Sequence, residues 1–150
     1  MLLSICIPTY NRPENFKNCL HSISAQKSKD FEVCISDNAS STDIYKIVQP
    51  FKKKININFK RNKKNLGFAI NVLKVSKMAK GKFIWFLGDD DLLTKNSLNH
   101  LLNLIKKNHD INFFWINSYY LHASFLKKYP SPFNIKYLPK GLKTHSPLKK

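Results

Sequence analysis

With 150 residues, 43% of them hydrophobic and 23% charged, the chain is long enough to bury the core of one domain and too apolar to belong to the disordered class. Its 26 Lys and Arg against 9 Asp and Glu leave a formal charge of +17, which favours nucleic acid, anionic lipid or phosphorylated small molecules as partners. No apolar stretch approaches the roughly 18–20 residues of a membrane-spanning helix, and the short run 2–7 stops at Pro8 with no basic segment before it, so neither a span nor a signal peptide is expected.

In chain order, residues 2–7 (LLSICI) read as a strand ended by Pro8, which cannot donate to a central ladder. Pro8, Thr9, Tyr10 and Asn11 form the next loop, and Pro13 suits the first turn of a helix whose apolar side carries Phe16, Leu20 and Ile23. Residues 31–36 (FEVCIS) make a second strand, followed by the polar loop Asp37, Asn38, Ala39, Ser40. Ser40 and Asp43 have capping-box spacing, which predicts a helix from about Ser41 with Ile44, Ile47, Val48 and Phe51 inward and a kink or early end at Pro50. Residues 55–60 (ININFK) alternate apolar and polar and predict a strand with one wet face. After the basic loop 61–65 and Gly67, a stripe of Phe68, Val72, Val75 and Met78 predicts a third helix, with Gly81 as its C-cap. The run KFIWFLG from Lys82 to Gly88 reads as a strand buried on both faces. A helix over about 94–108 follows, with Leu98, Leu101, Leu102 and Ile105 inward, and INFFWI (111–116) reads as a fifth buried strand.

Asp89, Asp90 and Asp91 close the fourth strand. Three adjacent carboxylates repel one another less in the presence of a divalent cation, and oxygen-only ligands suit Mg²⁺ or Mn²⁺ with places kept for substrate phosphates. The alternative is that one or two of them cap the following helix, where negative charge is favourable. Cys6, Cys19 and Cys34 lie in apolar segments without metal-ligand spacing and read as reduced, packed thiols, which points to a cytoplasmic address.

Strands alternating with helices predict an α/β domain with a doubly wound, mostly parallel sheet and helices on both faces. In such sheets ligands bind in the crevice beyond the carboxyl ends of the strands, which brings Pro8–Asn11, Asp37–Ser40 and Asp89–Asp91 to one site. The first β–α turn, IPTYNRPEN, has no glycine fingerprint and no Walker loop occurs, which argues against dinucleotide dehydrogenases and P-loop nucleotidases.

Four blocks, CIPTYNRPENFKNCLHSI, SDNASSTD, NLGFAIN and GKFIWFLGDDDLL, occur in the order and at the intervals of a family 2 glycosyltransferase of the GT-A type, which residues 1–110 resemble. The resemblance implies a nucleotide-diphosphosugar donor, a divalent metal (Mn²⁺ or Mg²⁺) and an inverting transfer to a hydroxyl of a glycan or lipid-linked acceptor, by analogy in bacterial polysaccharide or lipooligosaccharide synthesis. It implies that Pro8, Thr9 and Tyr10, with Asn11, line the nucleotide. Asp37, followed by Asn38, would hold the base edge, with a turn-forming Asx residue as the alternative. Asn65, Gly67 and Asn71 match the block beside base and ribose, a plain turn being the alternative for Gly67. In GDDD, Gly88 stands where many members have the first Asp of the metal motif; Asp89 is therefore assigned to the ribose or as a bridge to the metal, and Asp90 with Asp91 as metal ligands.

Inverting transfer also needs a general base, and nothing acidic follows Asp110. His122 and His145 are the only late histidines able to act as one. The sequence therefore divides into a donor-binding core over 1–117 and a basic, proline-containing tail over 118–150, irregular or a truncated acceptor region. A truncated, catalytically inactive donor-binding fragment is the alternative reading. Lysines interleaved with Tyr129, Phe133 and Tyr137 leave a nucleic-acid-binding module as a second alternative, against which the acidic cluster and the absence of any nucleic-acid motif argue. The same tail suits peripheral contact with the anionic cytoplasmic face of an inner membrane.

Overall fold

A computed structural model describes residues 1–114, 116, 118–121 and 128–130. The chain divides into two units, Met1–Lys107 and Asn108–Lys150. In the first, β1 (Leu3–Thr9), β2 (Phe31–Asp37), β3 (Ile57–Arg61) and β4 (Phe83–Phe86) form one sheet in the order β3-β2-β1-β4, all parallel. They alternate with α1 (Pro13–Ser24), α2 (Ile44–Val48) continuing into a 3-10 turn (Gln49–Lys53), α3 (Phe68–Ser76) and α4 (Ser97–Lys107).

The handedness of parallel crossovers distributes the helices. The steps β1→β2→β3 run one way along the sheet and the step β3→β4 runs back, so right-handed connections put α1 and α2 on one face and α3 on the other. Side-chain alternation sorts the core to match. Leu3, Ile5, Ile7, Val33 and Ile35 are buried on the α1 face, where Phe16, Leu20, Ile23, Ile44 and Val48 are also fully buried. On the α3 face Cys6 and Cys34, paired in register, cluster with Val75 and Met78. All three cysteines are free and buried.

Several expectations change. The fourth strand is half exposed, with Ile84 at 44% and Phe86 at 52%, because it is the sheet edge and α3 rests on β1 and β2 rather than over it. Gly81 caps no helix: α3 ends at Ser76, and Gly81 sits against β1, where a Cβ would stand 2.7 Å from the backbone of Leu3 and Ser4. Its N–H donates to Ser4 Oγ at 2.8 Å, and Ser4 Oγ donates to the buried Glu32 at 2.7 Å, tying the α3–β4 connection to the sheet. Phe68 opens α3 but lies 78% exposed, and the buried position on that first turn belongs to Asn71. The second helix begins at Ile44 instead of near Ser41, with Asp43 as N-cap accepting from the Tyr45 and Lys46 amides, because Ser40 is engaged elsewhere.

In the second unit, the expected fifth strand is absent over the described residues of 111–116, where Phe113 and Ile116 are exposed. Further on, β5 (Tyr119–Leu121) and β6 (Lys128–Pro130) pair antiparallel. The rest of the expected basic tail, including His122, Phe133, Tyr137 and His145, lies outside the described residues.

Candidate functional site

At the carboxyl edge of the sheet, the loops after β1 and β2 are stitched together. Asn11 adopts φ 53°, a left-handed conformation that Asn tolerates better than most residues. Its N–H donates to Ser40 Oγ at 2.9 Å, and its side-chain oxygen accepts from the Ser41 N–H at 2.8 Å. The Asn38 amide donates to the Thr9 carbonyl at 2.9 Å. Pro8 is half-buried, Thr9 is buried and Tyr10 keeps its ring 41% exposed.

Asp37 ends β2 fully buried. One of its oxygens accepts from the Ser40 N–H at 3.0 Å and from Ser40 Oγ at 2.6 Å, and the other accepts from Arg61 Nη1 at 2.9 Å. Arg61 ends the neighbouring β3, directly opposite Asp37 in register, and also donates to the Ser40 carbonyl. Both oxygens of the carboxylate are thus held by the protein. A carboxylate at this depth is stable only with such partners.

A third loop joins through Asn38. Its side-chain oxygen accepts from the Leu66 N–H and from Asn62, both at 3.0 Å, and its Nδ2 donates to Asn65 Oδ1 at 2.7 Å. Asn65 in turn accepts from the Gly67 N–H at 2.8 Å. Gly67 has φ 80° and ψ 163°, and a Cβ added there would meet nothing within 4 Å, so backbone conformation rather than space requires the glycine. Asn71 is buried and works inside the protein. It donates to the Ser36 carbonyl at 2.9 Å and accepts from Ser36 Oγ at 2.7 Å and from Asn62 at 3.0 Å.

The acid turn follows β4 at the other side of the crevice. Asp89 turns inward, accepting from Thr9 Oγ1 at 2.8 Å, and burial pushes its carboxyl above the usual carboxylate range. Asp90 and Asp91 are exposed. Arg12 Nη1 lies 2.9 Å from Asp90 Oδ2 and 3.5 Å from Asp89 Oδ1, and Asp91 Oδ2 accepts from the Gly88 N–H at 3.0 Å. Beneath the turn, the Cys19 thiol, pushed up to about 12 by burial and the three nearby carboxylates, donates to the Gly88 carbonyl as a neutral group.

Whether these residues suit a divalent ion turns on Gly88. A Cβ there would stand 2.8 Å from Asp91 Oδ2 and 2.9 Å from Asp90 Oδ1, so the missing side chain lets both carboxylates approach the same point. Among the described residues no group of three or more His, Cys, Asp or Glu side chains forms a cage. Two exposed carboxylates suit an ion that takes its remaining oxygens from phosphate and water, as Mg²⁺ does and Mn²⁺ can. The arrangement is therefore chemically suited to a phosphate-bearing ligand bridged by a hard cation.

The structure brings Thr9, Asn11, Asp37, Asn38, Asn65, Gly67 and Asp89–Asp91 to the carboxyl edge. Arg12, Arg61 and Asn62 were not singled out from sequence as site residues, and Ser40, read as a helix cap, turns out to be a partner of Asp37. Arg12 follows Asn11 directly and carries a charge opposite to the acid turn, a signal that the crevice rule already supplies by bringing the two loops together. Arg61 read as one more cation in a basic loop, and strand register alone sets it against Asp37.

The model of the family described as glycosyl transferase family 2 matches residues 4–147. Abequosyltransferase RfbV of Salmonella typhimurium is 40% identical over 115 residues, covering 74% of this chain and 34% of that protein. The structure of TarS 1-349 from S. aureus in complex with UDP-GlcNAc superposes with a TM-score of 0.68 at 28% identity, over 73% of this chain and 32% of that one. The mannosyltransferase PcManGT of Pyrobaculum calidifontis, in complex with GDP-Man and Mn²⁺, shares the fold with a TM-score of 0.62 at 19% identity, over 69% of this chain and 32% of that one. The chain spans between a third and a half of the length of the curated relatives it matches first.

Proposed function

The chain belongs to glycosyl transferase family 2, and from that premise we propose that residues 1–117 are its nucleotide-sugar-binding core, with 118–150 on the acceptor side. The donor is a nucleotide-diphosphosugar. The protein transfers its sugar, with inversion, to a hydroxyl of a glycan or lipid-linked acceptor in bacterial surface-glycan synthesis, peripheral to an anionic membrane. No helix among the described residues is long and apolar enough to cross one. The named activities of the relatives and the nucleotide ligands in their structures support this reading.

One observation carries it. Thr9 at the end of β1 donates to Asp89 in the turn after β4, while the Asn38 amide just after β2 donates to the Thr9 carbonyl, so the three loops that the crevice rule selects form one bonded surface. On that surface Tyr10 offers an exposed ring for a base to stack on. Asp37 acts on the base side as a positioning residue, fixing Ser40 and Arg61. Asp90 and Asp91 would hold Mn²⁺ or Mg²⁺ against the diphosphate. When bound, that ion supplies Lewis-acid stabilisation of the leaving diphosphate. Arg12, 2.9 Å from Asp90, adds a cation on the phosphate side of the turn. The base that deprotonates the acceptor is not among these residues.

Calorimetry with UDP, GDP and CDP, each with and without Mn²⁺, tests the reading. Metal-dependent binding of one nucleotide, weakened about tenfold or more by Asp90→Ala (about 1.4 kcal/mol), supports it. Binding indifferent to both metal and mutation rejects it.

A further inference from the structure

Between Asp43 and Asp89 the sequence carries twelve Lys and Arg and no acid at all. The fold gathers part of this charge into a cleft of about 270 Å³ on the β3 side of the sheet, between that strand and α3. Lys60 stands opposite Ser36 in the β2–β3 register, which turns it to the α3 face. Lys74 on α3 and Lys77 at its C-cap, three residues apart, come to the same cleft, and among the described residues no carboxylate lines it. Arg61 contributes to the wall, but its guanidinium is already paired with Asp37.

One ammonium is set in place by the protein. Lys74 Nζ donates at 2.8 Å to Asn62 Oδ1, and Asn62 is buried, its Nδ2 held by Asn38 and Asn71. Three lysines converging on one concavity repel one another unless an anion joins them. A lysine ammonium, a compact point charge, is a common phosphate ligand. The volume falls just below the roughly 300–1,000 Å³ of drug-sized pockets, leaving room for a phosphate or pyrophosphate group.

We propose that this cleft, lined by Lys60, Lys74 and Lys77 with Asn62 at its wall, is a second anion site that binds a phosphate group outside the crevice of the acid turn. The two are separate by topology. The cleft lies along β3 and reaches β2 at Ser36, whereas the acid turn follows β4, at the far edge of the sheet beyond β1. Adjacent strands lie roughly 4.8 Å apart, so a diphosphate held at Asp90 and Asp91 does not reach Lys77. The phosphate can belong to a soluble molecule or to a lipid headgroup, and the chemistry of the site is the same for both.

The test uses the 150-residue chain labelled with ¹⁵N and titrated with inorganic phosphate against chloride at constant ionic strength. Saturable shifts confined to the amides of 60–62 and 74–78, with the affinity cut about tenfold in the double variant Lys60→Gln/Lys77→Gln, support the site. Both lysines are exposed, so the variant keeps its fold, and its nucleotide binding with Mn²⁺ is expected to match the parent. Sedimentation with phosphatidylglycerol vesicles but not phosphatidylcholine vesicles, lost in the variant, identifies a lipid headgroup as the source. Phosphate shifts without sedimentation identify a soluble one. Absence of saturation, identical titrations of parent and variant, or shifts spread over all lysine-rich surfaces would overturn the proposal.

Discussion

On the β2–β3 side of the crevice, Asp37, Asn38, Asn62 and Asn71 are buried and tied to protein partners, whereas the acid turn after β4 holds two of its three carboxylates in water. The first wall is complete without a ligand, since among the described residues every buried side-chain nitrogen and oxygen has a partner. In the second, Asp89 is turned inward to Thr9, while the exposed carboxylates meet Arg12 and the Gly88 amide. Burial explains the contrast. A buried polar group left without a partner costs about 1–3 kcal/mol, so an interior network has to close on itself. Exposed carboxylates lose little by waiting for a cation and keep the freedom to bind one. One wall is therefore closed on itself, and the other leaves two carboxylates open to solvent.

Substitutions that separate stability from binding would break or sharpen this contrast. The largest effect is expected at Asp37. Asp37→Ala removes three hydrogen bonds, two from Ser40 and one from Arg61, and should lower unfolding free energy by about 2–4 kcal/mol in urea titrations. A loss under about 1 kcal/mol would mean the wall is not a scaffold. Gly67→Ala comes next. Forcing an alanine to φ 80° and ψ 163° should destabilise by about 1–3 kcal/mol, and a neutral result would show that the loop relaxes into another conformation.

Asp90→Ala should do the reverse. With both Asp90 and Arg12 exposed, stability should stay within about 0.5 kcal/mol of the parent while metal-dependent nucleotide binding falls. Loss of stability on the scale of Asp37→Ala would erase the distinction between the walls. The smallest effect is at Asp30, far from the crevice, where a hydrogen bond from Lys106 and then one from the Leu2 N–H hold the carboxyl below its ordinary range. A depressed value means the pair stabilises above the unfolded carboxylate range and is lost as pH falls through the folded value. Asp30→Asn should thus be slightly less stable than the parent at neutral pH, and the two should converge in acid; a constant gap from neutral to acid pH would show that charge is not the cause.

Much of the fold could be read from residue order. The run LLSICI, the run FEVCIS and the alternation in ININFK are buried or half-wet strands because their periodicity matches the pleat, and each formed within two residues of expectation at either end. The crevice rule also placed the loops after the first, second and fourth strands at one edge. What failed depended on neighbours. KFIWF reads as doubly buried, yet its exposure is set by its place at the sheet edge and by where α3 lies. INFFWI is as apolar as the core strands, but apolarity alone forms no ladder. Ser40 has the spacing of a helix cap, but it bonds Asp37 three residues back and accepts the Asn11 amide from the loop after β1, a contact that spacing alone does not show.

By itself the sequence determined the element types, the parallel α/β class and a cluster of carboxylates at a strand end, since these follow from local periodicity, turn chemistry and charge. Only the tertiary structure decided which polar residues are buried and held by protein partners and which stay exposed. That distinction is a matter of burial and partners. Asp37 and Asp90 are the same side chain at the ends of two strands; one lies opposite Arg61 in a packed register and the other projects from an exposed turn, and no local pattern separates them.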